Sequence, residues 1–125
     1  MNTNDAHLIA DIFGEPISTY SRAQAIEDGV LVDITRYAQR AGFRFPVAVT
    51  AGLYAHIDID DGVNERATTR LVRMGNMLTR CREAIARADH ADRVEFSALG
   101  CECWIHIGPG DTPAPVLTIM LEGED

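Results

Sequence analysis

The sequence predicts an α+β fold: a three-stranded antiparallel C-terminal sheet packed against a long central helix and two to four shorter N-terminal helices. Three observations predict it. Ala67, Leu71, Met74, Leu78, Cys81, Ile85 and Ala88 recur at alternating steps of four and three, which draws one apolar stripe down a helix spanning 64–88. In the last third, residues 94–99, 101–107 and 116–121 are strand-like runs joined by short links, the pattern of an antiparallel meander. Helical signals come first and strand signals last, which is the α+β order.

Residues 1–12 begin polar and then supply Leu8, Ile9 and Ile12; Phe13-Gly14-Glu15-Pro16 is a turn, and 17–20 is short and extended. Ser21 and Gln24 form a capping box for a helix carrying Ala23, Ala25 and Ile26, which stops at Gly29. Val30-Leu31-Val32 is a brief buried strand or link. Thr35 caps a second helix over 36–41, closed by Gly42, and Phe43, Phe45 and Pro46 impose an extended entry. Residues 47–57 carry mixed signals: the β-branched start suggests strand and Thr50 to Ala55 suggests a helix capped by Thr50; they are read as helix from about Val47. Asp58 to Gly62 is an acidic turn. Asn64 caps the long helix with Glu65 at its positive end, and 89–92 ends it. Gly108-Pro109-Gly110-Asp111-Thr112-Pro113 is turn chemistry between the last two strands.

The 125 residues make one domain, 1–125, with 46% hydrophobic and 24% charged residues. The net charge of −8 is unevenly spread. Residues 64–88 hold Arg66, Arg70, Arg73, Arg80, Arg82 and Arg87 against Glu65 and Glu83, near +4, which leaves about −12 elsewhere. Five of these arginines sit one residue before a stripe position, so a basic row runs beside the apolar stripe. An acidic chain disfavours nucleic acid except along such a row. Cys81, Cys101 and Cys103 are an odd set, and two of them are too close in sequence for an ordinary disulfide, which fits a reducing, cytoplasmic setting. The chain shows no export signal and no apolar run near ~18 residues, so no membrane association is expected.

The candidate chemistry is sparse. On a strand Cys101 and Cys103 point opposite to Glu102, Trp104 and His106, so the two thiols and the imidazole cannot meet one ion, and no metal is expected. Asp58, Asp60 and Asp61 lack the ligand spacing of a calcium loop. Gly108-Pro109-Gly110 is a hairpin tip and not a phosphate loop; no cofactor motif occurs. His56 beside these acids has no nucleophile at signature spacing. Trp104 reads as a core or interface anchor.

Three stretches carry a resemblance: Ile12-Phe13-Gly14-Glu15-Pro16-Ile17 continuing through Tyr20-Ser21-Arg22-Ala23-Gln24-Ala25-Ile26-Glu27-Asp28-Gly29-Val30-Leu31-Val32-Asp33; Ala41-Gly42-Phe43-Arg44-Phe45-Pro46-Val47-Ala48-Val49-Thr50; and Gly108-Pro109-Gly110-Asp111 with Pro115-Val116-Leu117-Thr118-Ile119-Met120-Leu121. Together, somewhat under half the chain, they resemble a family of small uncharacterised bacterial proteins carried by plasmids, phages and integrative elements. The resemblance implies a cargo protein of a mobile element and supplies no catalytic residues.

The expectation is therefore a non-enzymatic accessory protein that binds a protein partner, such as a host defence or nucleic-acid-processing complex, through acidic surface. The candidate contacts are Asp58, Asp60, Asp61, Glu122, Glu124 and Asp125. One alternative is a small enzyme or ligand-binding protein in which His56 or His106 converges with an acid and a cysteine. Another is nucleic-acid backbone binding along the Arg66–Arg87 row, with Arg66, Arg70 and Arg73 among the contacts. The oligomeric state is left open.

Overall fold

The computed structural model describes residues 20–88 and 91–124. The expectations for 1–19, for residues 89 and 90 and for Asp125 lie outside them. In chain order the described elements are α1 (Arg22–Glu27), β1 (Leu31–Asp33), α2 (Thr35–Arg40), β2 (Val47–Thr50), α3 (Ala51–Ile57), α4 (Arg66–Arg87), β3 (Arg93–Ala98), β4 (Cys101–Pro109) and β5 (Pro115–Leu121). The order across the sheet is β1-β2-β5-β4-β3. Among these residues no helix is long and apolar enough to cross a membrane.

The predicted meander is present: β3 pairs antiparallel with β4 and β4 with β5. Its first turn is two residues, Leu99 and Gly100, at φ +56° and +75°. Two such residues suit the right-handed twist of a tight hairpin, and only the glycine adopts that conformation without strain. The sheet nevertheless has five strands and not three. β2 adds parallel to β5, aligning Val47 with Leu117 and Val49 with Ile119, and β1 adds antiparallel to β2.

The error lies at 47–50, which is strand where helix was expected. Val47, Ala48, Val49 and Thr50 are all buried because β2 lies inside the sheet and is covered on both faces. A strand of that kind is a continuous apolar run with no alternation to separate it from a helix, and only its β-branched residues betray it. The helix begins later than the expected Val47, at the other signal in this stretch: Thr50 Oγ1 accepts the Leu53 amide at 3.2 Å and starts α3.

Two other caps move by local competition. Asp33 offers a carboxylate to the Thr35 amide at 3.0 Å, so Thr35 becomes the first residue of α2 and its hydroxyl instead accepts the Val47 amide at 3.1 Å. Asn64 does not cap α4; its amide and side chain both donate to Asp61, and Glu65 precedes the helix without a side-chain cap. Ser21 does cap α1, accepting the Gln24 amide at 3.0 Å, and Gly29 closes that segment at φ +80°.

The core lies between one sheet face and α2, α3 and α4. Met74, Met77, Leu78, Cys81 and Ala84 of α4 meet Val94, Phe96, Cys103, Ile105, Leu117 and Ile119. Here the predicted stripe needs correction. Met74, Leu78 and Cys81 are buried, but Ala67 and Leu71 are exposed, while Met77 and Ala84 join the buried face. A helix of 22 residues is about 33 Å long and a six-residue strand only about 20 Å, so the first turns of α4 overhang the sheet. α1 packs on the opposite face, where Arg22 donates to Thr118 Oγ1 at 2.6 Å and to the Leu117 carbonyl at 2.8 Å.

Candidate functional site

The arginine row of α4 divides into engaged and open members. Asp58, just beyond α3, receives Arg66 through Nε at 3.0 Å and Nη2 at 3.1 Å, with Arg70 at 3.5 Å. The Arg66 hydrogen bonds outweigh partial desolvation and hold the Asp58 carboxyl below its ordinary range. Arg73 Nε donates to the His56 carbonyl at 2.6 Å, and Arg82 Nη1 donates to the Ala41 carbonyl at 3.0 Å. These are carbonyls at the C-terminal ends of α3 and α2, groups that a helix cannot satisfy itself. Arginines at those ends supply both the donor and the charge that the helix dipole favours. Much of the row thus fastens the short helices to the long one. Arg80 is exposed and has no ion pair or hydrogen bond among the described residues.

The acidic candidates are also largely employed by the fold. Asp61 accepts the amides of Val63 and Asn64, each at 2.9 Å. Those bonds, Asn64 first, pull its carboxyl down to about 2. Asp60 accepts the Gly62 amide at 2.9 Å. Glu124 accepts the Thr50 hydroxyl at 2.7 Å and the Leu121 amide at 2.8 Å, and its carbonyl takes the Trp104 indole at 3.0 Å. Glu122 is exposed. The two acidic groups do not form one patch: Asp58, Asp60 and Asp61 follow the end of α3, whereas Glu124 sits at its start.

Of the candidate chemical groups, only one pair meets. Cys101 Sγ lies 3.6 Å from His56 Nδ1. His106 is on the other face of the sheet, edge-on to Trp104 at 6.4 Å between ring centres. The strand-parity reading of these residues holds. Trp104 is buried on that face beneath Arg93, whose guanidinium lies 3.8 Å from the ring centre. Burial pushes the Cys81 thiol up to about 12 and the Cys103 thiol up to about 11, so both stay protonated and inert.

Two clefts stand out, and sequence reasoning located neither. One, of about 710 Å³, lies between α4 and the β3–β4 turn, with Arg73, Asn76 and Arg80 on one wall and Ser97, Leu99 and Gly100 on the other. The other, of about 600 Å³, lies on the opposite face between Tyr20, Arg22 and Ala25 and the β4–β5 region, including His106 and Asp111. Asp111 closes one end of it by accepting the Arg22 amide at 2.7 Å and the Ala23 amide at 3.0 Å, which lowers its carboxyl below the ordinary range. A signal for the first cleft existed: Asn76 and Arg80 are one turn apart on a flank that the apolar stripe leaves free.

A sequence model of a protein family matches residues 9–125. The chain belongs to that family, a family of unknown function (DUF6573). No curated protein and no solved structure matches the chain. Within this member, the described parts of the stretches that carried the resemblance come together. β1, β2 and β5 are neighbours in the sheet, and Asp111 of the Gly-Pro-Gly-Asp turn fastens the start of α1. Those stretches therefore have a building role in this fold, whereas the arginine helix and the first cleft lie outside them.

Proposed function

We propose that this protein is a non-enzymatic accessory protein of a mobile genetic element that works by docking on a protein partner. The observation that supports this is the overhang of α4. Val63, Leu71 and Val72 remain 86%, 51% and 58% exposed on and just before its first two turns; Leu71 continues the sheet-facing stripe beyond the sheet, and Val72 lies on the outward side of the helix. Exposed large apolar side chains grouped on one element are the usual mark of an interaction surface. Asp60 and Asp61 edge this region, and the chain carries a net charge of −8, so the complementary partner surface is apolar with a basic rim. Charge would then govern association rate and its salt dependence, with the apolar contact governing lifetime.

The test is affinity capture from cells that carry the element, comparing the native chain with a Leu71→Asp/Val72→Asp variant. A stoichiometric protein retained by the native chain and lost from the variant is expected. Identical retained sets would overturn the surface, and no stoichiometric species at low salt would overturn the docking reading itself.

A second reading, a small ligand-binding protein or enzyme, draws on the His56–Cys101 contact. Its acid is missing from the pair, because Asp58 is turned to Arg66 and Arg70. Nucleic-acid binding along the row has fewer donors to work with, since Arg66, Arg70, Arg73 and Arg82 each already hold an oxygen of the protein.

A further inference from the structure

Among the described residues β3 is the outermost strand at one edge of the sheet and β1 at the other. Opposed residues in an antiparallel ladder alternate between pairs that exchange hydrogen bonds and pairs that do not. The Ile107 amide donates to the Asp92 carbonyl at 2.9 Å, and that bond sets the phase. Val94, Phe96 and Ala98 then bond to β4, and Arg93, Glu95 and Ser97 turn their N–H and C=O groups to the open edge. Such an edge is a template for another strand. At its Ser97 end it runs into the 710 Å³ cleft, whose far wall is the polar flank of α4.

We propose that this groove receives an acidic, extended segment of a partner protein, which joins the sheet beside β3 and sets carboxylates against Arg73 and Arg80. Adjacent strands lie about 4.8 Å apart, so an added backbone would enter the cleft beside Ser97. Every second side chain of that strand would turn toward α4. Arg73 is held in place by its Nε bond to the His56 carbonyl, which leaves its two terminal nitrogens for a ligand. Arg80 is exposed about two helical turns along, with Asn76 and Thr79 beside it as neutral hydrogen-bonding groups. The acids of that strand pair, Glu95 and Glu102, lie on the other side of the sheet, where Glu102 accepts the Ser97 hydroxyl at 2.6 Å and Glu95 pairs with Arg93. Charge and backbone geometry thus select the same occupant. A nucleic-acid strand would satisfy the arginines but leave the edge carbonyls facing phosphate, so a peptide fits better. Neither Leu71 nor Val72 lines the groove, although Val72 shares an adjoining cleft with Arg73 and Asn76.

Fluorescence anisotropy with the full chain tests this. The probe is a labelled peptide of about eight residues alternating glutamate and threonine, a length that covers the edge strand. Its controls are the glutamine counterpart, a version N-methylated at alternate amides, and a labelled oligothymidylate. Saturable binding of the glutamate peptide at low salt is expected, about tenfold weaker for Arg73→Gln/Arg80→Gln. Arg80→Gln alone, an exposed change, and Ser97→Pro, which removes an outward amide, should each weaken it without lowering Tm by more than a few degrees. Equal binding of the glutamine or N-methylated peptide, tighter binding of the oligothymidylate, or no saturable binding would each overturn the proposal. Leu71→Ser/Val72→Ser, which removes the exposed apolar groups without adding charge beside Arg73, should leave peptide binding unchanged, so failure here and failure of the docking surface are told apart.

Discussion

Among the described residues, the half of the sheet made by β1, β2 and β5 has helices on both faces, whereas the half made by β3 and β4 has a helix on one. In the first half, Val47 and Val49 pack on α2 and α3, while Ala48 is equally buried on the α1 side, where Arg22 and Asp111 fasten the helix. In the second half, Val94, Phe96 and Ala98 pack under α4, but Arg93, Glu95 and Ser97 face outward and the strand has no outer neighbour among the described residues. The closed half contains most of the described parts of the stretches that carried the family resemblance; Gly108 and Pro109 end β4. The open half lies under the arginine row and holds the β3 edge and the larger cleft. A binding surface can be built where the fold has been left unfinished, and the comparison teaches where in this molecule that has happened.

The sharpest way to break the contrast is along α4 itself. Leu78→Ala should cost about 3 kcal/mol by leaving a cavity, whereas Leu71→Ala, on the overhang, should change stability by less than about 0.5 kcal/mol. Urea denaturation of both variants measures this. Equal losses would mean that the overhang is packed in solution.

Arginine substitutions compare the two halves next. Arg22 is half-buried and donates to two oxygens of β5, so Arg22→Ala should cost about 2 kcal/mol. Arg80→Ala should be close to neutral, within about 0.5 kcal/mol. Thermal denaturation distinguishes them, and a large loss for Arg80→Ala would show that it serves the fold.

Thiol chemistry gives a further contrast. Cys101 is partly exposed, while Cys81 and Cys103 are buried and kept protonated. A chromogenic disulfide reagent at neutral pH should titrate one thiol in the native protein and all three after denaturation. Rapid labelling of all three in the native state would show that the core opens readily.

The smallest effect is in acid. Asp58, Asp61 and Asp111 all ionise more readily folded than unfolded, so each stabilises the fold fully above the ordinary carboxyl value of 3.8. That contribution is lost as pH falls, for Asp61 down to about 2, because the unfolded chain takes up its proton first. Tm should fall between about pH 4 and pH 2. Asp61→Asn should flatten part of that slope by acting at the start of α4, and Asp111→Asn by acting at the start of α1. An unchanged slope in Asp61→Asn would mean that its two amide bonds do not persist in solution.

The elements that local chemistry specifies were legible in the residues themselves: the capped α1, the cap of α3 at Thr50, the meander and the middle of α4. Their periods and turn residues lie within a few positions of one another. The joining of β2 to β5 was not legible, because a strand buried on both faces loses its alternation and its partner lies some seventy residues away. The candidate site divides the same way. The arginine row was visible as a spacing, but which arginines hold carbonyls of α2 and α3, and which face a cleft, depended on where those helices ended against α4. A single chain specifies its repeats through neighbouring side chains; which repeats are covered and which stay open is decided only when elements of unequal length are packed together.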